Sequence, residues 1–308
     1  GFRYDTHSEY ASQLSPKLST RWSINPTFIL KASFGGGYKA PDFRQLFLNF
    51  SNPISGYSVY GTSTLLQGLE NLQATGQLAE LFVAPAELVD IEAEQSLALN
   101  LGFDWSLSDA ITLRFNSFRN HVNNLIETQR IALKTNNQSV FSYVNIQQMY
   151  SQGMDIDAQF EVPWVKGLRW TTGVQLLDTR QRIREQFDDV VNGLVTQKVV
   201  YRFVPMFNRS TFTGLSKLYY EAPNRGWDIN IRSQYRGPYG FVDINGNNRI
   251  DDREKVEGYI IVNSSVGKAF KEAYRIQFNI SNLTNRTDPL RMPSNPGRVF
   301  SLQLSMNF

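Results

Sequence analysis

The last nine residues, "FSLQLSMNF" (300–308), alternate strictly between apolar and polar side chains. A period of two is typical of a β-strand that has one apolar face and one polar face. The sequence therefore ends on a predicted strand, and its final residue is aromatic. The apolar set is Phe300, Leu302, Leu304, Met306 and Phe308, and the polar set is Ser301, Gln303, Ser305 and Asn307.

The same period of two recurs along most of the chain. Residues 208–220 have a mixed pattern, in which we also place a strand, and residues 1–5 match the end of another strand. The sequence thus predicts about twelve strands, about eleven of them complete and most of them about ten residues long. The remaining predicted strands lie within 14–24, 28–38, 97–105, 111–115, 154–162, 168–176, 227–235, 260–266 and 274–280.

Short turns and long links alternate between these predicted strands, and the five tryptophans lie near the short turns. Transmembrane β-barrels have this asymmetry, with aromatic girdles at both interfaces, whereas strands of soluble proteins are usually about five or six residues long. We predict an all-β fold, a transmembrane antiparallel β-barrel, because hydrocarbon tolerates no open sheet edge. The short turns are 25–26, 108–109, 165–167, 223–225 and 271–272, the long links include 39–93, 183–206 and 237–257, and the tryptophans are Trp22, Trp105, Trp164, Trp170 and Trp227.

The composition excludes several classes of function. There is no cysteine, so disulfides, thiolate metal sites and cysteine nucleophiles are excluded, and only two histidines, His7 and His121, could supply an imidazole. The 31 basic and 28 acidic residues are scattered and leave a net charge of +3, which is no footprint for nucleic acid. No run of 18 apolar residues predicts a transmembrane helix.

Several segments resemble, in the right order, the TonB-dependent outer-membrane receptors. The terminal Phe308 also resembles that family's signal for the barrel-assembly machinery. The segments are "RYD" (3–5), "LSPKLS" (14–19), "GYKAP" (37–41), "IEAEQSLALNLGFDWSL" (91–107), "NNLIE" (123–127), "SQGMDIDAQF" (151–160) and "ISNLTNRTD" (280–288).

This resemblance implies a 22-stranded barrel in the outer membrane of a Gram-negative bacterium, surrounded by lipid. Residues 1–308 would form the C-terminal portion of the barrel, and the N-terminal plug domain would lie outside this sequence. The implied function is import of a scarce metal chelate, such as a ferric siderophore, haem or cobalamin. The implied energy source is the TonB-ExbB-ExbD complex, which acts through the plug.

The link at 39–93 is rich in aromatic residues, which either stack on a flat ligand or pack the loop itself. The haem branch of the family places a ligand histidine after an arginine-proline motif. Here Lys39 replaces the arginine and residues 42–93 contain no histidine, so haem ligation from this loop is not predicted. The candidate substrate-binding aromatics are Phe43, Phe47, Phe50, Tyr57 and Tyr60.

Residues 243–254, "DINGNNRIDDRE", have the spacing of a calcium-binding loop, so calcium is a candidate cofactor. Position 6 holds Asn248 in place of the usual glycine, and an Asn-Gly turn in a polar loop is the alternative interpretation. The ligands at positions 1, 3, 5, 7, 9 and 12 would be Asp243, Asn245, Asn247, the backbone carbonyl of Arg249, Asp251 and Glu254.

The sequence also has features that other classes of function would share. Asp155, Asp157 and Glu161 share one strand face, which could suggest acid-base catalysis, but a solvated barrel lumen gives the same pattern, so no enzyme is predicted. Two alternatives stay open from sequence alone. They are a passive porin, and a glycan or peptide importer of the same superfamily that works with a surface lipoprotein.

Overall fold

A computed structural model describes residues 1–6, 12–52, 56–83, 91–191, 194–244, 247, 249–270, 273–292 and 295–306. The helices in these ranges are α1 (Phe43–Phe47), α2 (Thr62–Ala74) and a 3₁₀ turn (Asp252–Glu254), and none is long and apolar enough to cross a membrane. The strands are β1 (Phe2–Asp5), β2 (Gln13–Asn25), β3 (Phe28–Lys39), β4 (Asn49–Asn52), β5 (Tyr57–Tyr60), β6 (Leu78–Leu81), β7 (Glu94–Ser108), β8 (Ile111–Lys134), β9 (Ser139–Glu161), β10 (Leu168–Val191), β11 (Leu194–Pro205), β12 (Phe212–Glu221), β13 (Trp227–Arg236), β14 (Tyr239–Gly240), β15 (Lys255–Val256), β16 (Tyr259–Phe270), β17 (Tyr274–Ser281) and β18 (Val299–Met306).

Counted over the described residues, sixteen of these strands form one sheet. Its main path is antiparallel and runs β1-β2-β3-β7-β8-β9-β10-β12-β13-β16-β17-β18. The path confirms the predicted strands, including β12 in the region of mixed pattern. The C-terminal stretch 300–308 lies in β18 as far as Met306, and Asn307 and Phe308 lie outside the described residues.

The ladder separates the side chains onto two faces, because directly paired residues of antiparallel strands lie on the same side of the sheet. Leu30 pairs with Phe103, and Ile156 pairs with Val174, on what we call the outer face. Asp155 pairs with Gln175 on the opposite, inner face, which is polar and concave. This arrangement is the predicted one, with apolar side chains outside and polar side chains inside.

The tryptophans lie close to the tight turns, as predicted. Trp105 contacts Phe28 with ring centroids 6.0 Å apart, and Trp170 stacks on Phe160 at 5.0 Å. The end of the sheet that carries these contacts is called the short-turn end below, and the opposite end is called the long-loop end. A belt of aromatic side chains of this kind is typical of the boundary between hydrocarbon and water.

One predicted long link, 183–206, is wrong as a loop. It is the hairpin of β10 and β11, in which Ile183 pairs with Arg202. The strands β8 and β9 likewise run on to a turn at 135–138, far beyond their apolar segments. The pairing continues after the apolar alternation ends, because a ladder that is surrounded by water needs no apolar face.

The link 39–93 carries a folded unit of its own at the long-loop end. The strands β6, β8, β9, β5 and β4 lie side by side there, and β5 runs parallel to β9. The helix α2 packs on this small sheet through a buried apolar cluster. The members of the cluster are Tyr60, Leu65, Leu69, Leu72, Ile131, Ala132 and Val140.

Gly267 lets an ion pair cross the strand β16. Asp228 on β13 and Arg275 on β17 are separated by that strand, yet Arg275 Nη2 lies 2.7 Å from Asp228 Oδ1. A methyl group at position 267 would lie 2.5 Å from the aspartate oxygen and 2.6 Å from the guanidinium. The missing side chain therefore makes room for a charge contact between two strands that are not neighbours.

We expect Gly267→Ala to lower the free energy of unfolding by roughly 1 to 3 kcal/mol, because overpacking displaces the ion pair. The measurement is the temperature at which the folded, detergent-resistant form is lost. Gly35→Ala is the matched control, because a methyl at position 35 meets nothing within 4 Å. Equal effects of the two substitutions would contradict the role of Gly267.

Candidate functional site

The inner face encloses a cavity of 1160 Å³ lined by strands from β2 to β16. Its wall is mixed in charge, with four cationic and three anionic side chains. Lys31 Nζ lies 2.5 Å from Asp104 Oδ2, and Gln175 Nε2 donates to Asp155 Oδ1 at 2.8 Å. The charged lining residues are Arg21, Lys31, Asp104, Arg114, Asp155, Asp157 and Arg236.

Arg236 lines this cavity at the long-loop end, as the last residue of β13. Its guanidinium lies over the ring of Tyr239 at 3.7 Å and donates to the backbone carbonyl of Asn208 at 3.0 Å. Burial raises the pKa of the Tyr239 hydroxyl, which is also hydrogen-bonded to Tyr259. Both contacts of the guanidinium are with neutral groups, so its positive charge stays available at the rim of the cavity. We call Arg236, Tyr239 and Tyr259 the rim cluster.

Sequence reasoning missed the rim cluster. Arg236 is one arginine among many, and the Gly-Pro that follows it, before Tyr239, reads as an ordinary turn. The usable signal was its position at the end of a predicted strand on the long-loop side. The contact of Arg236 with Tyr239 could not be predicted, because it depends on the fold.

The structure does not bring the five candidate loop aromatics together. Tyr60 is buried in the core of the folded unit, and the added Cβ of an alanine at Gly68 would lie 2.7 Å from its ring. Phe43 is 83% exposed and pairs with Phe47 at 5.5 Å between ring centroids. This geometry gives Tyr60 a packing contact and leaves the phenylalanines accessible.

The remaining two candidates belong to a chain of ring contacts. Phe50 lies 6.1 Å from Tyr57, and Tyr57 lies 6.3 Å from Phe141 on β9, measured between centroids. The chain of rings fastens β4 and β5 to the long hairpin. Stacking of any of these aromatics on a ligand stays a prediction.

The exposed phenylalanines are held by a short, capped helix. Asp42 Oδ1 accepts a hydrogen bond from Gln45 N at 2.9 Å, and Gln45 Oε1 accepts one from Asp42 N at 2.8 Å. This reciprocal pair satisfies two backbone donors at the start of α1. The hydrogen bond from the Gln45 backbone holds the pKa of Asp42 below its usual value, so the cap is strongest above the unfolded pKa and weakens as the pH falls.

We expect Leu65→Ala to destabilise the folded unit by about 2 to 5 kcal/mol, because Leu65 is fully buried in its core. Limited proteolysis within residues 57–83 is the measurement, and cleavage should become faster. Leu66→Ala is the control, since this neighbour on α2 is 43% exposed. Equal protection in the two variants would show that the unit does not depend on this core.

The calcium-like segment forms a hydrogen-bonded cap around Glu254. This residue is 2% exposed, and its carboxylate oxygens accept from Ile244 N at 2.7 Å and from Asp251 N at 2.9 Å. Asn247 accepts from Arg249 N at 2.7 Å and donates to Asp251 at 3.0 Å. Two of the predicted ligand groups are therefore engaged with the loop's own backbone.

The other predicted ligands of this segment have different surroundings. The side chain of Arg249 points to Glu185 on β10, with Nη2 and Oε1 3.3 Å apart, and Asn245 lies outside the described residues. Within the described ranges, no group of three or more acidic or histidine side chains is placed to hold a metal ion. Calcium binding by Asp243 and its neighbours stays a prediction.

A protein-family model described as "TonB dependent receptor-like, beta-barrel" matches residues 1–283. The chain belongs to the TonB-dependent receptor family. Barrels of this family lie in the outer membrane of Gram-negative bacteria, so the long-loop end of this receptor chain faces the exterior. The family and the fold are those of transport receptors.

Two curated receptors show similarity to this TonB-dependent receptor chain. The ferric enterobactin receptor of Pseudomonas aeruginosa is 24% identical over 184 residues, and the ferrienterobactin receptor of Escherichia coli K12 is 24% identical over 178 residues. Each match covers 56% of this chain, but only 22% and 21% of the respective relatives. The chain thus aligns with about a fifth of the length of each relative.

Solved structures share the fold over the whole chain. The siderophore receptor PirA from Pseudomonas aeruginosa has a TM-score of 0.65 at 16% identity, covering 100% of this chain and 44% of its own. A mutant of the ferric enterobactin receptor PfeA from the same organism, in complex with enterobactin, has a TM-score of 0.66 at 17% identity, with 100% and 42% covered. These similarities show that the receptor chain has the fold of those barrels.

Proposed function

We propose that this chain forms part of an outer-membrane receptor that imports an anionic ferric siderophore by TonB-coupled transport. The catecholate class is the substrate we favour. The curated relatives are named as receptors for ferric enterobactin, and the solved structures with the same fold include siderophore receptors. Energy coupling through TonB-ExbB-ExbD, and reading of Phe308 by the barrel-assembly machinery, belong to the same proposal.

The observation that carries the proposed substrate class is the rim cluster. Arg236 lies over the buried ring of Tyr239 and beside Tyr259, its partner in the ladder, and it lines the cavity together with Tyr259 at the long-loop end. A guanidinium combines a fixed positive charge with a planar surface that stacks on aromatic rings. An anionic chelate with aromatic donor rings matches both properties.

Haem is a weaker candidate for this chain. His121 lies on the outer face, since it pairs with Leu97, and its Nε2 is 3.0 Å from Asn123 Oδ1. An imidazole on that face cannot reach a ligand inside the cavity. His7 lies outside the described residues.

We expect Arg236→Gln to weaken binding of a ferric catecholate by roughly 10- to 100-fold, because a buried charge-assisted contact contributes about 1.5 to 3 kcal/mol. Binding should be measured by fluorescence quenching of the full-length receptor. Arg225→Gln is the control, because Arg225 lies in a turn at the opposite, short-turn end.

The same titration should include a neutral ferric hydroxamate and haem. The proposal predicts that the catecholate binds more tightly than both and that the hydroxamate is little affected by Arg236→Gln. Tighter binding of haem, or equal loss for both siderophores, would contradict the proposed substrate class. If the receptor binds none of these compounds but binds a glycan or a peptide, the result would favour the alternative importer.

Calcium in the segment 243–254 is a separate proposal that rests on the spacing of its oxygen donors. Binding through Glu254 would replace the two amide protons that its carboxylate now accepts. We expect calcium to raise the melting temperature and Asp243→Asn with Asp251→Asn to remove that shift. Glu254→Gln should lower the melting temperature with or without calcium, and a native protein that is indifferent to calcium would disprove the site.

A further inference from the structure

A second cavity lies on the outer face, away from the lumen. It has a volume of 540 Å³ and is formed by β7, β8, β9 and β10. Towards the short-turn end its wall is apolar, and towards the long-loop end it is polar. The apolar wall is made by Leu101, Met154 and Leu176, the polar wall by Arg119, Gln152 and Asp178, and Leu99 lies in register with Arg119.

The pairing of the strands places this groove at the edge of the apolar band that lies towards the long-loop end. Ser117 pairs with Leu101 on one side and with Met154 on the other, so a short side chain stands between two long ones. Two residues further along, Arg119 pairs with Gln152. The outer face thus changes from apolar to cationic within one step of the strand, beside a gap in the packing.

Arg119 lines the polar end of the groove, and Arg180 and Arg182 follow Asp178 on the same face of β10. Arg119 lies over the ring of Tyr150 at 5.4 Å, and Arg182 lies over the ring of Tyr201 at 4.5 Å. Arg180 Nε donates to Asp178 Oδ1 at 3.0 Å. Stacking on tyrosines fixes the guanidinium planes of Arg119 and Arg182, and Arg119 Nη1 also donates to Gln152 Oε1 at 3.2 Å.

Asp178 is the acidic member of this cluster. Its other oxygen, Oδ2, accepts from Tyr150 at 3.4 Å and from Gln152 at 3.3 Å, in addition to the bond that Oδ1 receives from Arg180. One carboxylate is therefore shared among three donors, and one of them is the guanidinium of Arg180. The cluster retains positive charge next to a surface that contacts lipid.

We propose that this groove binds a phosphate-bearing acyl lipid of the outer leaflet. An acyl chain lies along the apolar wall, and the phosphate accepts hydrogen bonds from Arg119, Arg180 and Arg182. The groove continues the lipid-facing band, and arginines recognise phosphate with two parallel hydrogen bonds. Basic residues at a membrane boundary attract anionic headgroups. The proposal depends on the barrel's position in the membrane and is independent of the imported substrate.

The test uses the full-length receptor in a neutral detergent, titrated with lipid A that carries two phosphates and with its dephosphorylated form. Native mass spectrometry gives the bound fraction. We expect Arg119→Gln, Arg180→Gln and Arg182→Gln together to weaken binding of the phosphorylated lipid at least tenfold. Binding of the dephosphorylated form should be weak and unchanged.

Two further variants separate charge from shape. Ser117→Leu fills the groove at its apolar wall and should weaken binding of both lipids. Lys166→Gln, Arg169→Gln and Arg225→Gln together remove three charges at the short-turn end and should leave lipid binding unchanged. If the outer-face triple variant does not assemble, Arg119→Gln alone carries the charge test.

Two results would overturn the proposal. One is equal affinity of wild type and of the outer-face variants for the phosphorylated lipid. The other is equal affinity of the wild type for both lipids, which would leave only the apolar contact. Uptake of the ferric chelate should be unaffected by Ser117→Leu, so failure of the proposed substrate class would be visible separately.

Discussion

The antiparallel hydrogen-bond ladder is the constraint on which the rest of this structure depends. In hydrocarbon each backbone N–H and C=O group must find a partner in the sheet, since no water is available. The twelve strands of the main path pair with their neighbours from β1 to β18, and the register shifts only at irregularities within three of these pairs. Once the register is fixed, the face and the height of every side chain along the strands are fixed as well.

Three surfaces of different chemistry follow from that register. The inner face collects polar and charged groups such as Asp155 and Gln175, the outer face collects apolar ones, and the long-loop end collects arginines stacked on tyrosines. Arg236 and Arg119 show the consequence, because both are strand arginines near a tyrosine but they face opposite sides of the wall. A one-residue shift in pairing would exchange their surroundings.

The membrane-spanning strands could be predicted because one face of each strand contacts lipid and the other contacts water, so apolar and polar residues alternate in the sequence. Outside the membrane both faces of a strand contact water, so this alternation is not required. The sequence pattern therefore predicted a loop where the hairpin of β10 and β11 lies. The calcium-like spacing around Glu254 was ambiguous for another reason. A carboxylate that caps a turn and one that binds a cation occupy the same positions in the sequence, and here the Glu254 carboxylate accepts hydrogen bonds from Ile244 N and Asp251 N.

The folded unit at the long-loop end has a consequence for assembly. Its strand β5 pairs with the first residues of β9, and Ser142 Oγ donates to the carbonyl of Tyr60, 82 residues earlier in the chain. Contacts between such distant residues form late, because a long loop must first be closed. The small sheet of residues 57–83 therefore cannot be completed until β8 and β9 are in place, so this part of the outer surface depends on strands that come later in the chain.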